Sequence, residues 1–341
     1  MSQQRRIGPP GRMRPPAARA RPTHAGRLAR WERLAFALAF AAMAAFIVII
    51  TISSAGLRHS GAPPPGTGGP AGPAAPAPGR GEPARIAPGG HRGAAPVRGA
   101  PAWNRRLATA LAPVLAQHSG RLGVGVVDRS TGAVAVYGGG RKFHTASIEK
   151  VSILAGLLLG RPGGLSDAEE RVATTMIEAS ADSAATRLWN AAGRAGGMTA
   201  ADRQLGLRHT VPGPAEDWGL TSTTVIDQLT LLQDLTTAGS PLPAAARSYA
   251  LSLMRATGPA QRWGISAAAS PGTRDAVKDG ALDGSAGATA NWVVNSIGVV
   301  EHDHQRLLLA VLSAGQPTKA AGIAGVEAAA AAAAACITGP R

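Results

Sequence analysis

The residues best suited by type and spacing to do chemistry are Ser147-Ile148-Glu149-Lys150, which lie just before the apolar run Val151–Leu159. A serine at a helix start with a lysine three residues later puts hydroxyl and amine on one face, one turn apart. The helix dipole favours negative charge developing on the serine oxygen, and a lysine whose pKa is lowered by desolvation can take the serine proton. That is the chemistry of an activated nucleophile. Ser-x-x-Lys also arises by chance, and its plain alternative is an N-capping serine beside a surface lysine, so the flanking sequence must decide. Other groups point less clearly to chemistry. His302-x-His304 falls in a turn between two strand-like runs, without a third ligand candidate. Gly120-x-x-Gly123-x-Gly125 sits inside an apolar strand and lacks the phosphate-loop pattern. Glu149 reads as solvated or paired with Arg141 or Lys142, and Trp189, Trp218, Trp263 and Trp292 read as core or loop anchors. The single cysteine, Cys336, excludes an intramolecular disulfide framework and a cysteine-based zinc site. No cofactor and no metal are expected.

The elements that must hold Ser147 and Lys150 follow from the patterning. Trp103 to Gln117 places Leu107, Leu111, Val114 and Leu115 on one side of a helix, with Pro113 arguing for a kink or an early end. Leu122–Asp128 and Ala133–Tyr137 read as strands joined by the turn-rich Arg129-Ser130-Thr131-Gly132. Helical segments dominate from Ser147 to about Met254. Strands return at Asp275–Asp279, Trp292–Val300 and Leu307–Ser313, and a last helix, Ala320–Ile337, holds eight consecutive alanines from Ala328 to Ala335. The order fits an α+β fold: an antiparallel sheet flanked by both terminal helices, with an all-helical lobe inserted between the second and third strands.

Charge and composition set these elements in a longer architecture. The chain carries a net +15, but residues 1–54 hold nine Arg and one acid, residues 55–100 five Arg and one acid, and residues 101–341 only +3. A folded nucleic-acid binder would carry its charge on the domain itself, so no nucleic-acid partner is expected. Residues 34–52 contain no charge, and a helix of that length spans about 28 Å, close to the hydrocarbon thickness of a bilayer. Nine arginines precede this run and none follows until Arg58, which puts the N-terminus in the cytoplasm and the rest outside. The run and its basic leader are longer than a signal peptide's, although Ser53-Ser54-Ala55 offers small residues for a peptidase. There is no cysteine at its end to take a lipid. Residues 55–100 hold 12 Gly, 10 Pro and 11 Ala and cannot bury a core. The expected organisation is a basic cytoplasmic segment (1–33), a single-pass signal anchor (34–53), a Gly/Pro/Ala-rich disordered tether (54–100) and one extracellular folded domain (101–341). The 31 arginines against four lysines suggest GC-rich coding of an actinobacterial kind.

Beyond Lys150 the folded part resembles the penicillin-recognising serine hydrolases, and among them the class A β-lactamases and their actinobacterial relatives. Their ordered signature is Ser-x-x-Lys, Ser-Asp-Asn, then Lys-Thr-Gly on a strand. Met176 to Ala185, with Ser180-Ala181-Asp182, resembles the segment bearing the second motif, and Ala276-Val277-Lys278-Asp279-Gly280 resembles the third. Trp292-Val293-Val294-Asn295-Ser296-Ile297-Gly298 resembles the next strand. Two of the four lysines fall at motif positions, and the likeness covers about residues 103–338. It implies Ser147 as the acyl-accepting nucleophile, Lys150 as its activating neighbour, Ser180 as the relay to the leaving group, and Lys278 as the cation holding that hydroxyl and attracting an anionic substrate. The oxyanion hole would be the Ser147 N–H with one just after Gly280.

The chain departs from the signature at three places. Asp182 replaces the Asn that would bind a substrate carbonyl, and can pair with Lys150 and leave it a poor base. Asp279 replaces the hydroxyl that helps bind a substrate carboxylate, and would repel that group. No Glu-x-x-Leu-Asn pattern supplies a deacylating base; the nearest candidate is Asp217 in Asp217-Trp218-Gly219-Leu220-Thr221, beside Glu216. Three readings follow: a serine hydrolase or acyltransferase acting on a cell-wall peptide or a small amide or ester; a non-catalytic domain binding wall fragments or a protein; and a true class A β-lactamase.

Overall fold

The computed structural model describes residues 97–284 and 291–339. The expected cytoplasmic segment, signal anchor and nearly all of the tether lie outside these residues. The fold opens with helix α1, Pro101–Gln117. The helix runs through Pro113 without ending there. Leu107 and Leu111 before the proline and Val114 after it are all buried against the sheet side of the core, which outweighs one missing backbone hydrogen bond.

Five strands form one antiparallel sheet in the order β2-β1-β7-β6-β5: β1 Arg121–Asp128, β2 Val134–Tyr137, β5 Ala276–Leu282, β6 Trp292–His302 and β7 Gln305–Gln316. β6 and β7 turn through Asp303 and His304, both at positive φ, as a two-residue hairpin requires. One face carries α1 and the last helix, α8 Lys319–Thr338. Val326, Ala329, Ala330, Ala333 and Ala334 of α8 are buried on Val124, Val277, Val294 and Val311 of the sheet. By length and composition α8 could also cross a bilayer; here its buried stripe serves the sheet.

The opposite face carries the helical lobe: α2 Glu149–Leu159, α3 Asp167–Glu178, α4 Asp182–Ala191, α5 Arg194–Gln204, α6 Val225–Thr236 and α7 Ala244–Arg255. α2 is buried on nearly every side, as a helix apolar all round must be. Gly123 and Gly125 of β1 account for the glycine spacing there. A Cβ at either would fall within 2.7 Å of Val225 or Leu229, so the glycines let α6 lie close on the sheet. A second, two-stranded sheet pairs β3 Phe143–His144 with β4 Ser222–Thr223, an element too short to show in the sequence. The fold is the α+β arrangement expected, with both terminal helices on one face and the helical lobe inserted between β2 and β5.

Candidate active site

Ser147 sits in a short 3-10 turn, Ala146–Ile148, that feeds α2, next to the edge strand β5. The residue before it, Ala146, is held at φ 50°, a left-handed conformation that costs a non-glycine residue about 1–3 kcal/mol and persists only where the surroundings impose it. Asn295 of β6 is one of those surroundings. Its amide donates to the carbonyls of His144 (2.8 Å) and Thr145 (3.0 Å), while its oxygen accepts from the Ser313 N–H at 3.1 Å. This buried, fully paired side chain fastens the nucleophile turn to the sheet. Sequence reasoning placed Asn295 on the right strand without seeing that role.

Ser147 caps nothing: the N-cap of α2 is Ile148, with no side-chain bond. Lys150 is fully buried rather than on the surface. Its Nζ lies within hydrogen-bonding distance of Ser147 Oγ at 2.8 Å, Ser180 O at 2.7 Å, Ser180 Oγ at 3.1 Å and Asp182 Oδ1 at 2.7 Å. It also lies 4.8 Å from the centre of the Trp218 ring. Burial pulls the Lys150 pKa below its ordinary value, and the Asp182 carboxylate resists that shift. Ser180, at φ 55°, occupies the bend between α3 and α4 and offers both its carbonyl and its hydroxyl to Lys150. Asp182 begins α4, and its side chain is 78% exposed even while it pairs with Lys150.

Lys278 enters from β5, fully buried, and donates to Ser180 Oγ and to the Asp279 carbonyl, each at 3.0 Å. The Ser180 hydroxyl thus bridges two amines. Burial, and then the charge of Lys150, lower the Lys278 pKa. Gly280 passes against the nucleophile turn so closely that a Cβ there would lie 2.7 Å from Ser147 N and 2.8 Å from Ile148 N. Only glycine leaves room there.

Two expectations need correction. Asp279 does not point at a substrate. Successive strand residues face opposite sides, so with Lys278 in the site Asp279 turns to the terminal-helix face. There it is buried, with Oδ1 accepting from Ser296 Oγ at 2.5 Å and Oδ2 from the Trp263 N–H at 2.8 Å. Burial raises its pKa against the pull of these two hydrogen bonds. Glu149 is neither solvated nor paired with Arg141 or Lys142, which instead donate to the carbonyls of Leu122 and His209. It is fully buried, and neither of its oxygens is hydrogen-bonded among the described residues. Burial, reinforced by the charge of Asp202, raises its pKa well above the carboxylate range. Asp217 is exposed, and among the described residues its carboxylate makes no hydrogen bond or ion pair. The side chain that its loop sends to Lys150 is the indole of Trp218, whose N–H donates to Thr186 Oγ1 at 3.1 Å.

No family model matches the chain. A Mycobacterium tuberculosis protein named "Putative lipoprotein LppW" is 32% identical over 125 residues, which is 36% of this chain and 40% of that protein. This chain therefore matches well under half the length of that curated relative. Solved structures match the folded part more broadly. A class A β-lactamase from Bacteroides cellulosilyticus superposes with a TM-score of 0.60 at 14% identity, over 72% of this chain and all of the other. A β-lactamase from Burkholderia vietnamiensis gives 0.58 at 20%, over 69% and 97%. PBP-A gives 0.57 at 21%, over 70% and 96%. The folded part of this chain has the β-lactamase-like fold of the penicillin-recognising proteins.

Proposed function

We propose that this protein is a membrane-anchored, extracytoplasmic serine hydrolase or acyltransferase that is acylated at Ser147 and acts on a cell-wall peptide or a related amide or ester. One observation carries the reading: Ser147 Oγ lies 2.8 Å from the buried amine of Lys150, at a helix start, with Gly280 clearing the space over the Ser147 N–H. In the proposed reaction, neutral Lys150 takes the Ser147 proton as Oγ bonds to the substrate carbonyl carbon. The Ser147 N–H and the one just after Gly280 receive the oxyanion. The leaving group takes its proton from the Ser180 hydroxyl, which Lys150 and Lys278 both touch. Anchoring through residues 34–53, and the tether after them, rest on hydropathy and charge asymmetry. The name of the mycobacterial relative, a lipoprotein, is in keeping with an envelope location.

A second reading, a non-catalytic binding domain, is favoured by the Lys150–Asp182 ion pair, since a lysine kept protonated cannot serve as a base. A true β-lactamase is disfavoured by Trp218, because its loop brings an indole rather than a carboxylate to Lys150, where a base to hydrolyse the acyl-enzyme would be needed. Labelling separates the three. The protein and its Ser147→Ala variant would be incubated with a fluorescent penicillin and with a neutral activated ester, then digested and mapped by mass spectrometry. A persistent adduct on Ser147 is expected from the ester. No adduct from either probe would leave the binding reading, and a penicillin adduct that turns over rapidly would restore the β-lactamase.

A further inference from the structure

The residue that follows Lys278 on β5 supplies no donor to an anionic group, because Asp279 faces away from the site onto the terminal-helix side. Asp279 accepts from the Trp263 N–H and the Ser296 hydroxyl. Ser296 Oγ in turn accepts from the Ile265 N–H at 3.0 Å. Lys150 and Lys278 are both fully buried, with Nζ contacts to Ser147, Ser180, Asp182 and the Asp279 carbonyl. Past Gly280, residues 281–291 contain Asp283 and no lysine or arginine. In the neighbouring recess of about 280 Å³, the guanidinium of Arg121 lies over the Phe143 ring and Lys142 donates to the His209 carbonyl. The charges that reach solvent at the site are of the other sign. Asp182 is 78% exposed with one oxygen on Lys150, and exposed Asp217 immediately precedes Trp218. Glu216 beside it is paired with Arg194 and adds no net charge.

We infer that the site selects substrates bearing a cationic group, an ammonium or guanidinium, close to the scissile ester or amide, with Asp182 as its counter-ion. This specificity rests on the acyl-transfer reading above and names its substrate class. It also gives the ion pair a part in the reaction. When the substrate cation engages Asp182, Lys150 loses its counter-ion in a buried position and releases a proton to solvent. The neutral amine then takes the Ser147 proton as the Oγ–carbon bond forms and the carbonyl electron pair moves to oxygen. On collapse, the bond to the leaving group breaks, and that group takes a proton from the Ser180 hydroxyl, which Lys150 replenishes. A substrate carboxylate would instead meet Asp182 as a like charge, with no accessible cation among the described residues of the site to offset it.

The test uses the full-length protein in detergent and two readouts. The first is the rate of Ser147 labelling by three nitrophenyl esters of similar size whose acyl groups end in an ammonium, a methyl or a carboxylate. The second is equilibrium binding of glycinamide, N-acetylglycinamide and succinamate by ligand-observed NMR, which needs no chemistry. The expected order is cation, neutral, anion, with at least about fivefold between steps. Asp182→Asn collapses the order, whereas Asp182→Glu keeps it. Equal responses to the three charges, a preference for the anion, or an order that survives Asp182→Asn would overturn the inference. Charge-ordered binding without any ester label would uphold the selectivity and remove the acyl-transfer reading, while labelling without charge order would do the reverse.

Discussion

Lys150 has at most three protons to donate and four oxygens within reach, and Asp182 decides how many of those protons it keeps. With the carboxylate in place the ammonium is favoured; without it, burial and the nearby Lys278 favour the neutral amine. The Asp182→Asn variant should therefore label faster with a neutral ester at neutral pH, by about tenfold, and the rising limb of its pH–rate profile should move to lower pH, since the base is then free at a lower pH than in the parent. A profile that stays in place would mean that Asp182 does not set the Lys150 charge. Asp279 faces away from the site and holds the Trp263 N–H and the Ser296 hydroxyl on the other side of the sheet. Asp182→Asn should also raise acylation by carboxylate-bearing β-lactams, measured by gel fluorescence, because it removes the exposed carboxylate that would repel them at the site. Unchanged labelling would contradict that account. The Lys150–Asp182 pairing was legible in the sequence because a motif fixes where each residue sits. The direction of Asp279 was legible too, had the period of two along β5 been applied, since neighbours in a strand cannot share a face. Glu149 was not, because its environment is set by burial among the packed helices, and sequence alone does not show burial.

At the scale of elements, the site is made where an edge strand meets a helix start. β5, the last strand of the sheet, brings Lys278 and Gly280 against the Ala146–Ile148 turn. Gly280→Ala should abolish Ser147 labelling, with a loss of about a hundredfold or more, because its Cβ would sit 2.7 Å from Ser147 N and either the strand or the turn must move. A thermal melt run alongside would separate this local effect from unfolding, and undiminished labelling in a folded variant would refute the geometry. The five long strands and the terminal helices could be read from apolar runs and periodicity. The short β3–β4 pair could not, and neither could the left-handed Ala146 and Ser180, since nothing in an alanine or serine announces positive φ. Pro113 misled for a related reason: its local cost is plain in sequence, whereas the burial of Leu111 and Val114 that outweighs it is a property of the packed sheet face.

Across the whole molecule, two further carboxylates inside the helical lobe tie stability to pH. Asp202 and Asp234 are buried without hydrogen bonds among the described residues, and burial raises the pKa of each to about 7. An acid with a higher pKa folded than unfolded binds more protons in the native state between about pH 4 and pH 7, so stability falls as pH rises through that window. Asp202→Asn should therefore be more stable than the parent at pH 8, by roughly 1–4 kcal/mol in urea unfolding, with the difference fading towards pH 4. A difference that does not shrink as pH falls would argue against a buried, protonated Asp202. The net charge of +15, which describes the chain as a whole, says little about this domain, where only +3 lies beyond residue 100 and a few buried groups set the chemistry. All of it depends on Ser147 being a nucleophile that Lys150 activates. Intact-mass kinetics with a neutral activated ester test that directly. The account predicts a single acyl adduct on Ser147 in the parent, none in Ser147→Ala, and labelling slowed by about a hundredfold or more in Lys150→Ala. No adduct in the parent, or labelling indifferent to Lys150→Ala, would contradict it.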